Sequence, residues 1–212
     1  MHLMEMRLLA EKYPTTRHYP FNLKILQETG RLGFNTPVTF LVGENGTGKS
    51  TLLRALCRKC GIHIWETERG GRMESNPSEN FRNFAEYVEE WGKADPDSLK
   101  YFGGKSLITQ SHGQSMMTFF RARYQIKGLY FLDEPETALS PRSQLELVRL
   151  LREMGDAGHA QFIVATHSPI LLACPGATIY SLDHIPVKPI DYEETQYYRI
   201  FKDFLENREE YL

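Results

Sequence analysis

Short, nearly continuous apolar runs alternate along this chain with longer stretches whose apolar residues recur every three or four positions. Val38-Thr39-Phe40-Leu41-Val42, Leu129-Tyr130-Phe131-Leu132 and Gln161-Phe162-Ile163-Val164-Ala165-Thr166 are runs of strand length, and Thr178-Ile179-Tyr180-Ser181-Leu182 is a fourth. Runs without polar alternation suit strands covered on both faces, as in a parallel sheet. After the first run, Leu52, Leu53, Leu56, Cys57 and Cys60 keep helical spacing, and Gly61 is a fitting stop. Between Pro141 and Met154 two rows do the same, Leu145-Val148-Leu151 and Leu147-Leu150-Met154. Pro141 suits a first helical turn and Gly155 a C-terminal cap. Strands alternating with helices predict an α/β fold, a mostly parallel sheet flanked by helices and joined by right-handed crossovers.

The rhythm breaks from about Glu66 to Lys105, a polar segment punctuated by Gly70-Gly71, Pro77, Pro96 and Gly103-Gly104. Within it Phe81, Phe84, Tyr87, Val88 and Trp91 form a helical stripe, read as the core of a small lid and not as a ligand site. The expected organisation is a single domain over residues 1–212 with a helical subdomain inserted at approximately 62–125. At the end of the chain Tyr197, Phe201, Phe204 and Leu205 predict a helix. Its apolar row is expected to pack back on the sheet, with an interface role as the alternative.

The 212 residues suffice for one domain with a full core, and 41% hydrophobic with 25% charged residues is an ordinary globular balance. A net charge of −2 supplies no whole-chain field for nucleic acid, leaving only a local basic patch open. No apolar run approaches the roughly 18 residues that would span a bilayer, and the first residues carry no apolar signal core. No membrane insertion and a cytoplasmic location are therefore expected. Three cysteines, an odd number, argue against a disulfide framework. Cys57 and Cys60 have C-x-x-C spacing but fall on the expected helix with no second Cys or His pair, so they read as ordinary thiols.

The candidate chemistry sits at the ends of the apolar runs. Gly43-Glu44-Asn45-Gly46-Thr47-Gly48-Lys49-Ser50, followed by Thr51, leaves a strand and opens a helix. Glycines there let backbone amides wrap closely around phosphates at a positive helix end. Lys49 is placed to reach β- and γ-phosphates, and the Ser50 hydroxyl to hold Mg²⁺. Leu129 to Leu132 ends in Asp133 and Glu134. Asp133 is expected to bind Mg²⁺ through water and Glu134 to act as general base on an attacking water. His167 follows the third run, at the carboxyl end where parallel sheets bind ligands. A neutral ring there can donate to a γ-phosphate or orient the water. Ser111-His112-Gly113-Gln114-Ser115 precedes a helical run and offers an anion-binding helix start; a plainly capped helix is the alternative.

In this order the four elements resemble an ABC-type ATPase over roughly residues 36 to 182. Gly43 to Ser50 matches its Walker A motif and Leu129 to Glu134 its Walker B motif. Ser111-His112-Gly113-Gln114 resembles the signature loop, Ala138-Leu139-Ser140 the D-loop and His167 the switch histidine. The strings around these motifs look like small stand-alone bacterial ATPases similar to the heads of SMC and double-strand-break-repair ATPases. The resemblance implies ATP and Mg²⁺ as ligands, ATP hydrolysis, and an ATP-dependent head-to-tail homodimer. In that dimer Ser111, Gly113 and Gln114 would touch the γ-phosphate held by Lys49 of the partner subunit. It also leaves a nucleic-acid-associated clamp or an unidentified protein partner open, and a transporter subunit below these. Three departures stand out. His112 replaces a signature glycine, Ser140 an aspartate of the D-loop, and no glutamine occupies the Q-loop place, Gln110 lying too close to the signature. The last disfavours a transporter subunit. Tyr13, Tyr19 and Phe21 are the candidates for stacking on adenine.

Overall fold

The computed structural model describes residues 1–62 and 112–212, with Glu90 and Lys93 between them. The expected aromatic stripe, most of the expected insertion and Ser111 lie outside the described residues. Along the chain, strand β1 (Glu5–Arg7) is followed by helix α1 (Lys24–Glu28), β2 (Arg31–Gly33), β3 (Val38–Val42) and α2 (Lys49–Lys59). After the undescribed stretch come α3 (His112–Arg123), β4 (Gly128–Asp133), α4 (Pro141–Asp156), β5 (Ala160–Ala165), α5 (Pro169–Leu172), β6 (Thr178–Ser181), β7 (Lys188–Ile190) and α6 (Gln196–Glu206).

The main sheet has the order β4-β5-β3-β6-β7. Its first four strands are parallel, and β7 joins antiparallel at the edge. All the residues of β3 and β5 are buried, which explains their unbroken apolar runs. Phe40, Phe162 and Val164 face Leu147 and Leu151 of α4, whereas Leu41 and Ile163 face Leu52 and Leu56 of α2. Each face therefore draws on alternate residues of the same strand, and each large side chain so buried contributes about 1.5–3 kcal/mol. Gln161 is the polar exception. Its amide is buried yet satisfied, accepting from the His2 and Leu3 backbone N–H groups and donating to the Leu3 carbonyl. β1 and β2 form a separate antiparallel pair.

The expected helix after the first strand is present and ends as its sequence suggests. Gly61 has φ +67°, Ile62 N–H donates to the Cys57 carbonyl and Gly61 N–H to the Arg58 carbonyl, a complete Schellman stop. In α4, Ser140 caps the start by accepting from Ser143 N–H, and Pro141 opens the first turn. Gly155 is not the cap. The helix runs on to Asp156, Ala157 is the cap, and Gly158, at φ +77°, takes the left-handed position. Gly155 is instead a packing glycine, for a Cβ there would stand 2.8 Å from Pro37 Cβ.

The C-terminal helix also departs from expectation. α6 is capped by buried Thr195 and lies against α5; Tyr197 at its start packs on the core cluster that includes β3 and β5, yet none of the helix residues is fully buried. Phe201 and Leu205 are 52% and 74% exposed. They line a cavity of about 1020 Å³ together with Leu145, Pro169 and Ile170. Among the described residues no helix is long and apolar enough to cross a membrane.

Candidate active site

Because β3, β4, β5 and β6 run parallel, the loops that leave their carboxyl ends converge. They deliver Gly43 to Gly48, Asp133 with Glu134, His167, and Asp183. The glycine loop has the shape an anion cradle requires. Gly46 and Gly48 adopt φ +86° and +101°, and a Cβ on Gly48 would stand 2.8 Å from Ile25 Cδ1. Glu44, Asn45 and Gly46 are exposed, Thr47 donates its hydroxyl to the Glu44 carbonyl at 2.9 Å, and Glu44 N–H donates to Asp183 Oδ1 at 2.8 Å.

Lys49 is 5% exposed. Its ammonium donates to the Gly43 carbonyl at 2.7 Å and the Glu44 carbonyl at 3.2 Å. Burial holds its pKa below the usual lysine value, while Glu134, Asp133, Asp183 and Glu44 pull the other way. A buried cation resting on carbonyls alone fits a site that receives phosphate.

Ser50 Oγ donates to Asp133 Oδ1 at 3.1 Å. Desolvation raises the Asp133 pKa; the Ser50 hydrogen bond and the charges of Arg54 and Lys49 lower it, and Glu134 adds to the rise. The residue stays open to solvent on one side, where a cation can enter. Among the described residues no group of three or more His, Cys, Asp or Glu could hold a metal. A hydroxyl beside one carboxylate nonetheless fits Mg²⁺, which takes few protein oxygens and completes its shell with phosphate and water.

Glu134 has φ +46° and is the non-glycine residue with positive φ among the described residues. Its N–H still pairs with the Ala165 carbonyl at 2.9 Å, so the ladder to β5 aims the side chain while its backbone is strained. Glu134 Oε1 lies 3.1 Å from His167 Nε2. His167 N–H donates to Glu136 Oε1 at 2.6 Å, and burial raises the Glu136 pKa. His167 Nδ1 lies 2.5 Å from the Tyr197 hydroxyl, which also reaches the Gly43 carbonyl at 3.1 Å. Tyr197 and Asp183 are site residues that the motifs did not reveal. Asp183 ends the fourth apolar run much as Asp133 ends the second, a signal that could have found it; Tyr197 has no such signal.

Of the signature residues, Gly113 and Gln114 begin α3, and a Cβ on Gly113 would meet the Ala138 carbonyl at 3.0 Å. The signature thus adjoins the Ala138-Leu139-Ser140 stretch of its own chain. Of the aromatic candidates, Tyr13 packs on Phe21 at 5.1 Å and donates to the Leu26 carbonyl. Tyr19 is 66% exposed and hydrogen-bonds Thr51 Oγ1 at 2.5 Å beside the loop.

Comparisons with known proteins bear on the family and the fold. Residues 117–173 match the family described as "AAA domain, putative AbiEii toxin, Type IV TA system", and residues 21–88 a second described as "AAA domain". The chain is 27% identical to the zinc import ATP-binding protein ZnuC of Alkalilimnicola ehrlichii, over 69% of its own length and 61% of that protein's. It is 31% identical to the cytochrome c biogenesis ATP-binding export protein CcmA of Paramagnetospirillum magneticum, over 69% of this chain and 82% of the relative. Among solved structures, an inward-facing "putative metal-chelate type ABC transporter" superposes with a TM-score of 0.53 at 16% identity, over 95% of this chain and 88% of that one. The cbiO1 protein of Clostridium perfringens, part of the ABC transporter complex cbiONQ, superposes with a TM-score of 0.51 at 19% identity, over 86% of this chain and 90% of that one. These structures share the fold. With the identity and coverage of the CcmA match behind the motifs, the chain belongs to the ABC-type P-loop ATPases.

Proposed function

We propose that this chain binds ATP with Mg²⁺ at Gly43 to Thr51 and hydrolyses it to ADP and phosphate, using Glu134 as general base. The observation that carries this reading is the convergence of two hydrogen-bonded pairs, Ser50 with Asp133 and His167 with Glu134, on the carboxyl ends of adjacent parallel strands. The amides of Glu44 to Ser50 and the Lys49 ammonium would bind the phosphates. Ser50 and Asp133 would hold Mg²⁺, whose charge would offset that on the β- and γ-oxygens. Glu134 takes a proton from water as the water oxygen bonds to the γ-phosphorus and the bond to the ADP oxygen breaks. His167 orients that water. Tyr19, exposed beside Thr51, is the residue for adenine. General-base help of this kind is worth about 10²–10⁴ in rate. Glu134→Gln is therefore expected to bind ATP but release phosphate at least about 100-fold more slowly; unchanged release rejects the assignment.

The same reading has one domain carrying a helical signature insertion, working in the cytoplasm as an ATP-driven dimerisation switch. Ser111, Gly113 and Gln114 of one copy complete the site of another. The support is the family resemblance and the close approach of Gly113 to the Ala138 carbonyl. Light scattering of Glu134→Gln should report a dimer with ATP and a monomer without it.

A second reading, a subunit that energises a membrane transporter, is favoured by the names of the import and export relatives. The chain spans only 61% of the ZnuC protein's length. Copurification of a membrane protein with ATP-loaded Glu134→Gln would select this reading.

A further inference from the structure

Tyr197 holds one hydroxyl proton between two acceptors. One is His167 Nδ1 at 2.5 Å and the other is the Gly43 carbonyl at 3.1 Å. The Gly43 carbonyl already accepts from Lys49 Nζ at 2.7 Å. The tyrosine proton therefore belongs on Nδ1, the nearer and otherwise unserved acceptor. The neutral ring then carries its own proton on Nε2, facing Glu134 Oε1 at 3.1 Å. A carboxylate can only accept, so this arrangement gives the Tyr197–His167 and His167–Glu134 contacts one donor and one acceptor each, and leaves without a proton only the contact to the Gly43 carbonyl, which Lys49 already serves. It also engages the Glu134 oxygen that would serve as base.

The rest of Tyr197 is arranged to hold that hydroxyl in place. Its ring stands edge-on to the His167 ring at a centroid distance of 5.0 Å. Thr195, buried and capping α6, anchors the backbone two residues earlier. Burial, with Glu44, Asp183, Glu134 and Glu136 nearby, pushes the hydroxyl pKa up to about 12, so it remains a proton donor. The far end of α6 is exposed, and so its start is the part tied to the site.

We propose that Tyr197 is a positioning residue that sets the His167 tautomer according to whether Lys49 is engaged by phosphate. When the ammonium leaves the Gly43 carbonyl for a phosphate, that carbonyl loses its donor. The Tyr197 proton turns to it, and the tyrosine oxygen accepts from Nδ1–H. The ring proton has then moved from Nε2 to Nδ1 by exchange through water, with no net gain or loss. Nε2 becomes an acceptor, Glu134 is freed, and one water can donate to both. The base is thus held back until the loop is filled. This inference rests on the ATPase reading above.

Nitrogen NMR of histidine-labelled protein tests it, with the His167 ring assigned from His167→Asn. Nucleotide-free wild type should carry the ring proton on Nε2, and Mg²⁺ with a non-hydrolysable ATP analogue should move it to Nδ1. Tyr197→Phe should keep it on Nε2 in both conditions. In nucleotide-free protein the Nδ1 shift should differ between wild type and Tyr197→Phe, since only the former accepts a hydrogen bond. In turnover, Tyr197→Phe should lower kcat about tenfold, as loss of one hydrogen bond implies, with KM nearly unchanged and no further loss in a His167→Ala background. Identical Nδ1 shifts, or a nucleotide-driven tautomer change in Tyr197→Phe, overturn the proposal. Failure of the ATPase reading shows separately, as phosphate release unaffected by Glu134→Gln; the nucleotide-free spectra still decide the role of Tyr197.

Discussion

Ser50 and Asp133, 83 residues apart in sequence, are joined by a 3.1 Å hydrogen bond from the serine hydroxyl to the aspartate carboxylate. The contact links the start of α2 to the end of β4, and those two elements pack against one another. It puts two hard oxygens side by side at the mouth of the glycine loop, a pair that would hold Mg²⁺.

That pair predicts a strict metal requirement. Removing Mg²⁺ with a chelator should stop phosphate release, and Asp133→Asn should slow it on the order of 100-fold, the equivalent of about 3 kcal/mol of charge stabilisation. A magnesium titration of the variant should reach half-maximal rate at higher concentration than wild type. A variant with the wild-type magnesium dependence would remove Asp133 from the metal site.

Lys49 predicts a different failure, one of binding. Its ammonium is buried and its hydrogen bonds go to loop carbonyls, places that phosphate oxygens would take when nucleotide binds. Charge-assisted hydrogen bonds contribute about 1.5–3 kcal/mol each, and losing two weakens binding by about 100-fold or more. Calorimetry of Lys49→Ala with Mg²⁺ and ATP should show no measurable heat at concentrations that saturate wild type. Retained affinity would dissociate the loop from nucleotide binding.

The parallel core and the motif residues were legible because buried strands must be apolar on both faces. Val38 to Val42 and Gln161 to Thr166 could hardly be read otherwise, and the residues that follow them had to sit together at the carboxyl end of a parallel sheet. The β1–β2 pair was not legible. Glu5–Arg7 and Arg31–Gly33 are three residues each and partly charged, with no periodicity to detect. β7 contains Pro189, which a central strand excludes but an antiparallel edge strand tolerates. Tyr197 looked like one more member of the row through Phe201 and Phe204. Its role depends on where its hydroxyl ends, beside a histidine 30 positions away and a carbonyl 154 positions away. The rest of that row, Phe201, Phe204 and Leu205, is exposed, which side-chain spacing does not encode.

The cysteines supply a chemical check on the packing. Cys60 is exposed at the end of α2, whereas Cys57 and Cys174 are buried. Burial pushes the Cys174 thiol up to about 11, so at pH 8 it is overwhelmingly the unreactive thiol. A disulfide reagent should label one cysteine rapidly in native protein and all three after denaturation. Mass spectrometry should place the fast label on Cys60. Fast labelling of Cys174 would contradict the packing of its surroundings.

Gly155 sets two known effects against each other. It lies inside α4, where replacing glycine with alanine ordinarily stabilises by about 1 kcal/mol. Here the added Cβ would stand 2.8 Å from Pro37 Cβ and 3.7 Å from Val38 Cγ2. Overpacking a tight contact costs about 1–3 kcal/mol, and the proline ring beside β3 cannot rotate away. The clash should win, so Gly155→Ala is expected to lose about 1 kcal/mol net in denaturant unfolding. Gly158→Ala should lose a similar amount for another reason. No atom stands within 4 Å of its Cβ, but φ is +77°. Gly30→Ala, with neither obstacle, should be neutral or slightly stabilising. If Gly155→Ala proves more stable than wild type, α4 does not approach the start of β3 as closely as described.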